Sequence, residues 1–283
     1  MKQLLNGTGS PAGATSSVLW RAGWSLCVCA WLWSPGTRAA EPAAATSAAK
    51  PTPQAQTPRG FDLPGYWVSM VTQNWRFRMI VPGKGEYVEI PINLKAKQFA
   101  DAWNPAADVA AGKQCEAYGA AAIMREPERL HISWQDANDL RMDTDSGMQT
   151  RVLHFAPTAA DAAAATSASL QGYSVAHWET HRAAGPPGPA GASQTQREYG
   201  GMEVTTNHML PGLLRKNGIP YSDKAQMSEY WEVNGEPDGD QWLTVTTELQ
   251  DTEYLQTAFY FTSIFQKEPD GSKWDPTPCS LTQ

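Results

Sequence analysis

Two arginines alternate with apolar residues in Trp75-Arg-Phe-Arg-Met79, and His131 and Ser133 alternate with Leu130, Ile132 and Trp134. On a strand, period-two alternation puts Arg76 and Arg78 on one side, and His131 with Ser133 likewise. If that side lines a closed sheet, its guanidinium groups must meet a carboxylate or an acidic ligand. If it faces solvent, the same residues are simply hydrated. Thr205 with Asn207, and Thr244, Thr246 and Glu248, repeat the pattern in the C-terminal half. Arg76, Arg78, His131, Arg151 and Trp178 are the candidate cavity residues, Trp178 as a ring that can stack on a sugar or an apolar ligand.

Other chemistry is thinner. His177 and His181 stand four apart, which on a helix would aim both at one metal, but their segment alternates like a strand. There four residues span ~13 Å, too far for two ligands whose bonds to zinc are each ~2 Å. No metal and no cofactor is expected. The chain lacks Gly-x-Ser-x-Gly, His-Glu-x-x-His and the phosphate-binding Gly-x-x-x-x-Gly-Lys-Ser/Thr. A hydrolase or isomerase would have to use His177 with Glu179, or His208 with Glu203. Asp143 and Asp145, ~7 Å apart along a strand, read as a solvated hairpin end. Arg215, Lys216 and Tyr221 flank an Asn217-Gly218 turn, either presenting a site or forming a hydrated loop.

The elements that would position these groups are strands. Alternating runs at 66–72, 75–80, 130–134, 140–144, 149–155, 174–180, 202–209, 227–233, 242–249 and 258–266 are separated by turn residues. About ten strands in series, with few helical intervals, predict an all-β antiparallel meander. Strongly twisted sheets of that size curl or close. The expectation is a closed or nearly closed lipocalin-like barrel with one short helix; a two-sheet sandwich is the alternative. Asn93 caps the helix at 94–103, with Leu94, Phe99 and Trp103 as its apolar side. Eight tryptophans lie beyond residue 58, chiefly as core filling. Residues 156–168 and 183–196, the latter rich in proline and glycine, read as loop insertions.

Residues 1–40 have the order of an export signal. Arg21 precedes an apolar run from 22 to 33, Ser34-Pro35-Gly36 breaks it, and small residues follow at Thr37 and Ala39. The run is short of the ~20 residues a membrane span needs. Residues 41–58 are mostly Ala, Pro, Thr, Ser and Gln and read as a disordered tether, which leaves 59–283 as a single barrel-like domain. The first 58 residues carry four of the 22 basic and one of the 29 acidic side chains, so the remainder balances 18 against 28, a net of −10. That charge speaks against nucleic acid and anionic membrane surfaces. Cys115 and Cys279 remain after signal cleavage, and in an oxidising compartment they form one disulfide or else stay as two separate buried thiols.

Gly65-Tyr-Trp-Val-Ser-Met-Val-Thr-Gln-Asn-Trp-Arg-Phe-Arg-Met79, Arg129-Leu-His-Ile-Ser-Trp134, Gln171-Gly-Tyr-Ser-Val-Ala-His-Trp-Glu179 and Leu214-Arg-Lys-Asn-Gly-Ile-Pro-Tyr-Ser222 carry a resemblance. The chain resembles a family of secreted bacterial β-rich proteins of unknown function over nearly all of its mature length. The resemblance implies no activity. Gly65-Tyr-Trp67 is also similar to the Gly-x-Trp of the first strand in lipocalin-like barrels. The function expected is binding of a small or apolar ligand in the periplasm or outside the cell. The alternatives are the histidine–carboxylate enzyme and a protein-interaction module of the envelope.

Overall fold

The computed structural model describes residues 52, 54–58, 61–155, 157, 167–183 and 197–282. The expected export signal, most of the expected tether and most of both expected insertions lie outside the described residues. A single 3-10 turn at Gln54–Gln56 sits at the end of the tether, with the Gln54 amide donating to the Ala137 carbonyl.

Strands β1 (Gly65–Ser69), β2 (Arg129–Trp134), β3 (Asp139–Thr144), β4 (Thr150–His154), β5 (Tyr173–Ala183), β6 (Arg197–Asn207), β9 (Gln226–Gly235), β10 (Gln241–Gln250) and β11 (Phe259–Glu268) close into one nine-stranded barrel. Their order is β1-β11-β10-β9-β6-β5-β4-β3-β2, and β1 completes the circle by pairing with both β2 and β11. Neighbours are antiparallel except β4 and β5, whose short parallel contact joins Leu153 to Ser174 and His154 to Val175. The remaining strands, β7 (Gly212–Arg215) and β8 (Ile219–Tyr221), form a separate hairpin. The expected barrel is present, and the Asn217-Gly218 dipeptide turns that hairpin, with Gly218 at φ 91° where its neighbour Trp103 leaves no room for a Cβ.

Alternation sets the two faces. Leu130, Ile132, Leu140, Met142, Leu153, Met202, Val204, Met227, Leu243, Val245, Leu249 and Phe265 are buried in the core, while the residues between them on their strands face outward. Trp67 and Trp231 are fully buried, and the Trp67 indole donates to the Leu63 carbonyl at 2.8 Å. An interior of about this strand number is just wide enough for side chains to fill it, and these large residues do so. The closed all-β barrel is as expected, and these side chains pack its interior.

Two helical expectations change. The run at 75–80 is no strand; α1 (Trp75–Met79) is a short helix entered through Asn74 in the left-handed region at φ 52°. Alternation over five residues also fits little more than one helical turn, so local periodicity could not separate the two. Helix α2 (Leu94–Ala102) starts as expected, with the Asn93 side chain accepting from the Ala96 amide at 3.0 Å. Its buried face is Ala96 and Ala100, however, whereas Leu94 and Phe99 are exposed. Close packing on the β7–β8 hairpin selects small residues there. Helix α3 (Pro105–Ala110) follows under an Asn104 cap, and α4 (Ala120–Ile123) is wholly buried. Cys115 and Cys279 are joined in a disulfide with Cα atoms 5.2 Å apart, tying the α3–α4 segment to the C-terminus. No helix among the described residues is long and apolar enough to cross a membrane.

Candidate functional site

The five candidate cavity residues do not converge. Arg76 lies on the surface and bridges to Glu86 at 2.9 Å. His131 faces outward from β2, stacked on Tyr66 with ring centroids 4.4 Å apart and edge-on to Trp274. Trp178 joins an aromatic cluster with Phe61, Trp134 and Phe155. Arg151 is inside the barrel, where the sequence logic required a partner, and Glu229 is that partner. Its Nη1 donates to Glu229 Oε1 at 3.1 Å, its Nε to Ser174 Oγ at 3.1 Å, and Nη2 reaches Thr206 Oγ1 at 2.7 Å. Four of the five N–H groups of that guanidinium are thus spent on protein partners.

Arg78 opens into a cavity at the barrel mouth. After β1 leaves the barrel, α1 carries Arg78 back over the barrel mouth, where Nε donates to the Arg125 carbonyl at 2.9 Å. The cavity holds about 260 Å³ and is bounded by Arg78, Arg125, Glu89, Phe259, Phe261 and Asn74, among others. Arg125 follows α4, donates to Glu89 Oε1 at 2.8 Å, and lies over the rings of Phe259 and Phe261, 5.1 and 5.2 Å from their centroids. The Asn74 amide supplies a second donor to Glu89 Oε1, at 2.6 Å.

The β7–β8 hairpin closes the site from behind. Arg215 donates to the carbonyls of Glu86 and Val88, and Asn217 to those of Gly83 and Glu86. These bonds staple the 83–89 segment that delivers Glu89. Lys216 meets Glu126 and lies 4.5 Å from the Tyr118 ring centre. Arg215, Lys216 and Asn217 are all buried. The stretch expected to be either a presented site or a hydrated loop is thus a buried scaffold for the mouth.

Charge in this region is unbalanced. Arg78, Arg125, Arg215 and Lys216 are buried cations, against which stand the carboxylates of Glu89 and Glu126. A third carboxyl, Glu128, is 3 % exposed, and neither oxygen has a hydrogen-bond partner among the described residues. Burial, reinforced by Glu126 and Asp145, pushes its pKa well above the ordinary 4.5, favouring the neutral carboxyl. Burial, then the neighbouring Arg125 charge, lowers Arg78 to about 10. Arg78 makes no ion pair at contact distance among the described residues, and Glu89, Glu126 and Glu128 act on it only from further off, so its burial is costly. A basic, half-aromatic pocket of this kind can accept an anion.

Of the histidine–carboxylate pairs, His208 is on a left-handed residue at φ 55°, with Nδ1 against the Asn207 side chain rather than Glu203. His177 instead meets Glu203 across the β5–β6 ladder at 2.9 Å, with Glu179 close by on the outer face. His177 and His181 do lie on one strand, as expected. Asp143 pairs with Arg141, whereas Asp145 is buried and accepts from the Arg129 and Ser146 amides.

Sequence reasoning missed Arg125, Glu89 and the aromatic wall. Nothing in their spacing links residues 89, 125 and 259; the chain closure does. Compared with known proteins, the chain matches no family model, no curated protein and no solved structure, so function rests on the geometry.

Proposed function

We propose that the protein binds a small molecule that combines an anionic group with an apolar body, in the pocket at the barrel mouth. Ionised carboxylate or phosphate would sit between Arg78 and Arg125, with the apolar part on Phe259 and Phe261. The observation that carries this reading is Arg78, a buried guanidinium that faces a cavity without a carboxylate of its own. The cavity volume suits a metabolite smaller than a typical drug. The order of residues 21–39, read as an export signal, favours such binding in the bacterial envelope or outside the cell.

Calorimetric titration of the full chain with benzoate, phenyl phosphate, inorganic phosphate and uncharged benzamide tests the reading. Benzoate or phenyl phosphate should bind, benzamide should not, and Arg78→Met should weaken the binding at least ~10-fold, as loss of a charge-assisted bond predicts. Equal binding of benzamide, or retention of affinity in Arg78→Met, would refute it.

A further inference from the structure

The outer wall of the barrel carries a second grouping, distant in character from the basic pocket. His177, Glu179 and Glu203 offer one ligand atom each, and those atoms all lie within 4.8 Å of one another. The three come from two paired strands. His177 and Glu179 are two apart on β5 and so share a face, and Glu203 of β6 stands directly opposite His177. The residue opposite Glu179 is Gly201, which places no side chain over it. A glycine inside a strand often marks close approach by a ligand.

The platform is rigid. Ala176, Met202, Val204 and Trp231 pack beneath it in the core, so the backbone under the three ligands is fixed. The surrounding face is acidic: on β9 the exposed Glu232 stands opposite Gly201, two residues along from Tyr230 opposite Glu203. Such a field attracts a cation.

Ligand chemistry narrows the choice of ion. Ligands on one tetrahedral zinc-sized ion have bonds of ~2.0–2.2 Å and so lie ~3.3–3.6 Å from one another. The observed spread, within 4.8 Å, needs to close by at most about 1.5 Å, a rotamer adjustment for an exposed imidazole and two glutamates. One neutral imidazole with two carboxylates suits a borderline transition metal better than magnesium or calcium, which take oxygen alone. We infer that His177, Glu179 and Glu203 form a binding site for a divalent transition-metal ion, Zn2+ being the type case, with water completing the coordination. The pairing His177 to His181, which strand geometry rejects, plays no part in it.

Zn2+ titrated calorimetrically into the full chain tests the site, with Co2+ absorption reporting the geometry. Wild type should bind one equivalent, and His177→Ala and Glu203→Gln should each weaken it at least ~10-fold, since even outer partners of a metal site cost 10–100-fold. Glu248→Gln, a carboxylate on the same face outside the trio, should leave affinity unchanged. All three side chains project from the outer face, so melting temperatures should match wild type. Absence of binding, retention of it in His177→Ala, or an equal loss in Glu248→Gln would overturn the assignment, the last by showing diffuse attraction alone.

Discussion

The ion pair in the middle of the barrel gives the sharpest test of how this core is built. Arg151 is 2 % exposed and Glu229 is fully buried, and two guanidinium nitrogens contact the two carboxylate oxygens. Ser174 and Thr206 accept two further N–H groups, and their hydroxyls are 2.9 Å apart. Removing one member strands the other charge without water. That costs about 3–5 kcal/mol for a buried pair, whereas replacing both by apolar residues of similar volume is often neutral or stabilising. For a domain of this size, 1 kcal/mol shifts Tm by roughly 2–4 °C. Glu229→Gln and Arg151→Met should therefore each lower Tm by about 6–20 °C, and Arg151→Met/Glu229→Leu should recover most of that loss. Thermal or urea denaturation followed by circular dichroism measures all four proteins. Single variants within ~2 °C of wild type, below what even 1 kcal/mol gives, would show that water reaches the pair. A double variant as unstable as the sum of the singles would show that the pair is not energetically coupled.

Two further outcomes follow from the same coordinates. Burial holds the Glu128 proton to higher pH in the folded state than in the unfolded one, where it leaves above about pH 4.5, so the unfolded state binds fewer protons and stability falls as pH rises from there; Glu128→Gln should raise Tm more at pH 8 than at pH 4, and an equal shift at both would contradict the raised carboxyl pKa. The disulfide closes a separation of 164 residues, which the chain-entropy relation converts to about 5 kcal/mol; reduction or a Cys115→Ser/Cys279→Ser double variant should lower Tm by about 10–20 °C, and no change in a differential scan would mean that the reduced, unfolded chain is already constrained.

Strand alternation, a property of neighbouring residues, made most of the barrel legible. Side chains two apart must share a face, so nine of the runs read from alternation coincide with barrel strands, and Asn93 marked the start of α2 by its capping chemistry. Cys115 and Cys279 likewise pointed to the bridge that forms. Local pattern failed where tertiary contact decides. Trp75 to Met79 is a helix because Asn74 reverses the chain and Arg78 is drawn onto the Arg125 carbonyl, 47 residues away in sequence. The outward or inward sense of each polar row also lay beyond it: His131 faces solvent and Arg151 the core, though both alternate with apolar neighbours. Sequence could say that a buried arginine needs a carboxylate; only closure of the sheet brought Glu229 to Arg151, and only the folding of α1 and β7–β8 over the mouth left Arg78 without one. Residue types fix what chemistry each group can perform. Which groups meet depends on contacts between segments far apart in the chain, and those are set by the closed sheet as a whole.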